Sequence, residues 1–78
     1  MVTIEHVDKA WSRFEELKES AEQYMFARLL LVDLKFTKFY KDLHENWDEH
    51  HAELFLNGMD EVLFEPFGLN SCKPEMKN

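Results

Sequence analysis

The chain has 78 residues, 16 acidic against 9 basic side chains, a net charge of −7 and 45% hydrophobic content. That length makes one domain, and a domain this small buries only roughly 60–65% of its unfolded surface, so association is an expected route to stability. The acidic balance excludes non-specific wrapping of nucleic acid, and the single cysteine, Cys72, excludes an intramolecular disulfide.

The N-terminus, MVTIEHVDKAW, lacks the basic start and apolar stretch of a signal peptide. The most apolar segment, residues 24–34, is interrupted by Arg28 and Asp33, too polar for a membrane span. A cytoplasmic protein that does not enter the membrane is expected. No glycine or proline occurs before Gly58, and good helix formers dominate that stretch, so the fold class is all-α. The expected architecture is a small bundle of two or three main helices plus a short C-terminal helical turn, completed by oligomerisation.

Thr3 is placed to cap a first helix on which Ile4, Val7, Trp11, Phe14 and Leu17 recur at three and four. Ser20 with Gln23 fits the S-x-x-Q capping pattern, predicting a break at 19–20 and a second helix from Ala21. From Leu29 onward Val32, Phe36, Phe39, Tyr40, Leu43, Trp47 and Leu54 share one face. A strand over 30–37 is the competing reading, but its alternation ends at Lys38–Phe39 and no partner strand is evident. An unbroken helix over 21–56 would be about 55 Å long, too long for a compact monomer. A second break near Glu45–Asn46, where N-W-D-E matches a capping box, resolves this. Asn57–Gly58 reads as a helix stop, Asp60 as the cap of one short turn, and 70–78 as a flexible tail following a single domain over 1–69.

Charge is segregated along the chain. Between Asp42 and Cys72 there are eight carboxylates and no lysine or arginine, while the stretch just before is basic. An acidic run that also carries large apolar side chains can attract a basic partner and then pack against it. The leading expectation is a small protein-binding regulator or inhibitor of a basic, nucleic-acid-handling protein. Asp48, Glu49, Glu53, Asp60 and Glu61 would supply the charge, and Phe55, Met59, Phe64 and Phe67 the apolar anchors.

A self-associating structural or adaptor module is the alternative, using Tyr24, Leu30, Leu31, Leu34, Phe36, Tyr40 and Trp47 to form a homodimer. Leu30, Leu31 and Leu34 lie off the main apolar face, so residues 24–34 are apolar nearly all round and need cover on two sides.

A metal- or nucleic-acid-binding role is the third reading. His44 and His51 share a helix side but would stand about 10 Å apart along its axis, too far to share one ion. Lys35, Lys38 and Lys41 recur every third residue, so their stripe drifts around the helix, and no helix-turn-helix precedes them. Lys38 with Asp42 and Lys41 with Glu45 fit ordinary i,i+4 pairs. No nucleophile elbow, glycine loop or cofactor motif is present, and the chain reads as non-enzymatic. No motif matches a family residue by residue. In size, acidity and lack of chemistry the chain resembles the small helical proteins with which bacteriophages occupy host enzymes, a likeness that implies a binder.

Overall fold

Thr3 opens the first helix in extended backbone, and its N–H donates to Nδ1 of His6 at 2.9 Å. His6 thus takes the place that Glu or Gln holds in the usual capping box. In this computed structural model, which describes residues 1–74, α1 (Ile4–Glu19) is followed by α2 (Phe26–Glu45) and α3 (Glu49–Met59). A π-helical turn (Asp60–Phe64) and a 3-10 turn (Glu65–Phe67) continue α3, and no strand occurs among the described residues. The all-α bundle is as expected. It is flat, with Cα extents of 34 × 31 × 16 Å.

Each boundary has a local cause. Ser20 ends α1, but its hydroxyl donates to the Glu16 carbonyl at 3.1 Å, so it does not cap the next helix. The chain therefore passes through one 3-10 turn, Gln23–Met25, and α2 starts at Phe26, five residues later than the S-x-x-Q pattern predicts. Asn46 closes α2, its N–H donating to the Asp42 carbonyl at 2.8 Å. Asp48 then caps α3 by accepting the His51 N–H at 3.1 Å, so the second break stands where expected with a different capping residue.

The predicted stop at Gly58 is not used. α3 runs through that glycine, where a Cβ would lie 2.7 and 2.8 Å from the end of the Phe36 ring on α2. The glycine lets two helices approach closely, and its conformational freedom plays no part. The chain turns ten residues later at Gly68, with φ of +67°, where the Gly68 N–H bonds the Glu65 carbonyl and the Leu69 N–H bonds that of Phe64. Between these points the wider π turn adjusts the register. At 100° per residue Phe64 would stand roughly 80° from Leu56, and the extra residue brings it back to the buried side.

One buried cluster joins the elements: Val7, Ala10 and Phe14 from α1, Leu29, Val32, Phe36 and Leu43 from α2, Ala52, Phe55, Leu56 and Met59 from α3, then Leu63 and Phe64. Phe55 sits at its aromatic centre, with ring centroids 5.4 Å from Phe39, 5.7 Å from Phe36, 6.3 Å from Tyr40 and 6.4 Å from Trp11. No helix among the described residues is long and apolar enough to cross a membrane.

Gly58→Ala tests the close approach. Alanine at an exposed helix interior stabilises by about 1 kcal/mol over glycine, but overpacking a core costs about 1–3 kcal/mol. Because the obstructing atoms belong to a buried ring, a net loss of stability is expected in urea denaturation. A gain would show that Phe36 moves aside freely.

Candidate functional site

Three places on the molecule combine unusual features. The first is a clasp between α1 and α2. Oδ1 of Asp8 accepts the Tyr40 hydroxyl at 2.8 Å and lies 2.6 Å from Nε2 of His44. Trp11 stacks on the Tyr40 ring at 4.7 Å and 8°. Burial, then the hydrogen bond to Asp8, pushes the Tyr40 phenol up to about 12, so it is a poorer acid than a free tyrosine. Hydroxyl and imidazole both converge on one oxygen. The arrangement fastens two helices.

The second place is a C-terminal latch on Asp60, a 6% exposed carboxylate. Its oxygens accept the Ser71 hydroxyl and, at 2.8 Å, the Cys72 N–H, with Nζ of Lys73 at 3.7 Å. Burial raises its pKa, but the bonds from Ser71 and Cys72 and the charge of Lys73 outweigh that and hold it below the usual carboxylate range. Nearby, Arg13 lies 4.1 Å over the Phe64 ring and donates to the Asn70 carbonyl at 2.7 Å. Residues 70–73, expected as part of a flexible tail, are therefore tied down by charge-assisted bonds. Pro74 follows, half-buried, and the remainder of that expected tail, 75–78, lies outside the described residues.

The third place is the outer side of α2. Phe26, Leu30 and Leu34 stand one above the next at intervals of four, 55%, 59% and 75% exposed. Met25, Leu29, Val32 and Phe36 occupy the inner side of the same segment, so the helix is apolar on both sides and covered on one. A shallow groove beside the ridge is lined by Ala21, Phe26, Leu29 and Leu30, and the ion pair of Lys18 with Asp33 at 3.6 Å borders it. Tyr24, also exposed, packs edge-on against Phe67 at 5.5 Å.

The residues of the expected acidic interface divide between core and surface. Phe55, Met59 and Phe64 are fully buried and serve the core, and Asp60 is the floor of the latch. Phe67 is half-buried against the core. Asp48 caps α3 and remains exposed, as do Glu49, Glu53 and Glu61. Their apolar neighbours at the surface are Leu54, next in sequence to the buried Phe55, and Trp47, which lines a hollow with Glu49.

The expected self-association set also divides. Tyr24, Leu30 and Leu34 are exposed and Leu31 is half-buried, whereas Phe36 is core and Tyr40 is half-buried in the clasp. Trp47 lies beyond the end of α2, lining a surface hollow with Val2, Ile4, Leu43 and Glu49.

Each histidine of the metal reading has a carboxylate: His44 meets Asp8, and Nδ1 of His51 lies 3.6 Å from Asp48. No group of three or more metal-ligating side chains is gathered among the described residues. Lys35, Lys38 and Lys41 are exposed, and the expected pairs of Lys38 with Asp42 and Lys41 with Glu45 do not close to ion-pair distance. Long side chains in water gain too little from such pairs to be held in one geometry. Asp8 and the Asp60 latch were missed by sequence reasoning, because their partners are supplied by distant segments and no local pattern marks them. Comparison with models of protein families, with curated proteins and with solved structures found no match for this chain.

Proposed function

We propose that the chain is a non-catalytic, self-associating module whose working unit is a pair of copies joined through the outer side of α2. The ridge of Phe26, Leu30 and Leu34 carries this reading, since it leaves one flank of a doubly apolar helix in water on a domain only 16 Å deep. The acidic surface of α3 has Leu54 and, beside Glu49, Trp47 as exposed apolar side chains, separated along the chain, whereas the ridge aligns three on one helix face. Charged residues at a rim steer encounters, while affinity comes from desolvated anchors, so the ridge is the better-supported contact.

Burying a Leu or Phe completely contributes about 1.5–3 kcal/mol, so each half-open ridge residue adds on the order of 1 kcal/mol. Association costs at least about 4 kcal/mol, which makes a pair held by the ridge alone a weak one. By that arithmetic pairing belongs to the millimolar range or weaker, and light scattering should show the mean mass climbing above the monomer's as concentration rises through millimolar. In Leu34→Glu the same ridge carries two new charges per pair, and the dissociation constant should rise about a hundredfold with the melting curve little changed. A monomer at every concentration overturns the proposal.

A further inference from the structure

The hollow at the end of α2 opposite Phe26 is built from three parts of the chain. Val2 and Ile4 come from the N-terminal end, Leu43 and His44 from the last turn of α2, and Trp47 and Glu49 from the link into α3. It holds about 420 Å³, within the size range of ligand clefts, and is open to solvent. Trp47 is 44% exposed, and among the described residues no other ring packs against its indole. His44 is already held by Asp8 at 2.6 Å, whereas Glu49 closes no ion pair among the described residues. The two stretches that supply the walls, residues 1–8 and 42–49, contain Glu5, Asp8, Asp42, Glu45, Asp48 and Glu49 and no lysine or arginine. Lys73, which lines the neighbouring hollow with Val2, is engaged by Asp60 at 3.7 Å.

We propose that this hollow is a second contact surface, separate from the ridge, and that it receives an arginine side chain of a basic partner protein. The apolar walls, Val2, Ile4 and Leu43, match the methylene stem of arginine, which gains by leaving water while the guanidinium stays at the rim. There Trp47 offers a flat π face and Glu49 a carboxylate, the two kinds of group on which a planar guanidinium stacks and forks. A lysine head fits less well, because it is a compact, strongly hydrated charge that cannot stack. The surrounding carboxylates attract a cation before contact is made. A neutral or anionic guest would instead take water from Glu49 and give it no partner.

The test uses the isotopically labelled full chain and a tetra-arginine peptide with blocked ends, followed by the tryptophan indole N–H signals in an NMR titration. The Trp47 signal should shift saturably, while that of Trp11, stacked on Tyr40, stays in place. Tetra-lysine should bind more weakly, by about threefold. Glu49→Gln should raise the dissociation constant for tetra-arginine about threefold. Trp47→Ala, followed by the Glu49 amide, should raise it about tenfold. Glu61→Gln removes the same charge from an exposed position outside the hollow and should change nothing. If Trp47→Ala melts early, the comparison of Glu49→Gln with Glu61→Gln decides. An unmoved Trp47 signal, or equal weakening in those two variants, overturns the proposal, since the peptide then responds to net charge alone. Neither result bears on pairing through the ridge, which Leu34→Glu tests separately.

Discussion

Phe55→Ala should leave the chain largely unfolded at 37 °C. A phenylalanine-to-alanine change in a core costs about 3–5 kcal/mol, and at 0.05–0.15 kcal/mol per residue a chain of this length holds only roughly 4–12 kcal/mol in total. Phe55 is fully buried among Trp11, Phe36, Phe39 and Tyr40, which come from two other helices, so the void cannot close by a local shift. Near-UV circular dichroism and a urea titration measure the loss, and Phe55→Leu should retain most of the stability. The adjacent Leu54→Ala provides the contrast, because that side chain is 47% exposed and its loss should cost well under 1 kcal/mol. A Phe55→Ala protein that melts like the parent would place the ring outside the core and revive it as a binding anchor.

Those neighbours also show why the interface was harder to read than the fold. Charge counted along a sequence averages over all faces of a helix, so Glu53, Leu54 and Phe55 look like one acidic, aromatic patch. Folded, they point in three directions 100° apart, and one of them is the centre of the core. Capping signals, in contrast, act within four residues, which is why Thr3, Ser20 and the turn before Asp48 were legible as boundaries. Asn57–Gly58 shows where local signals end. The same dipeptide suits a helix stop or a close helix crossing, and the Phe36 ring on another helix decides between them. The surplus apolar face at Leu30 and Leu34 was legible for the opposite reason: a helix that is apolar all round announces itself before any partner is known.

Cys72 should be protected from alkylation in the native protein. Burial, then the hydrogen bond and charge of Asp60, pushes its thiol from the ordinary 9 up to about 12, while Arg13 pulls weakly the other way. The thiolate is the reactive form, and at pH 8 this shift lowers its fraction about a thousandfold relative to the denatured chain, so reaction with iodoacetamide should be much slower. The thiol also donates to the Leu56 carbonyl at 3.3 Å, so labelling requires the 70–73 segment to lift away. Asp60→Asn removes the charge and weakens the latch, and both effects should speed labelling. The pH limits of the latch have opposite signs. Cys72 keeps its proton longer when folded, so its contribution is complete below pH 9 and fades as pH rises toward about 12. Asp60 is depressed when folded, so its contribution is complete above the ordinary 3.8 and fades as pH falls through the lowered value. Protection should therefore be greatest on the plateau between. Labelling of the native parent at the denatured rate at pH 8 would show that the segment is not docked on Asp60.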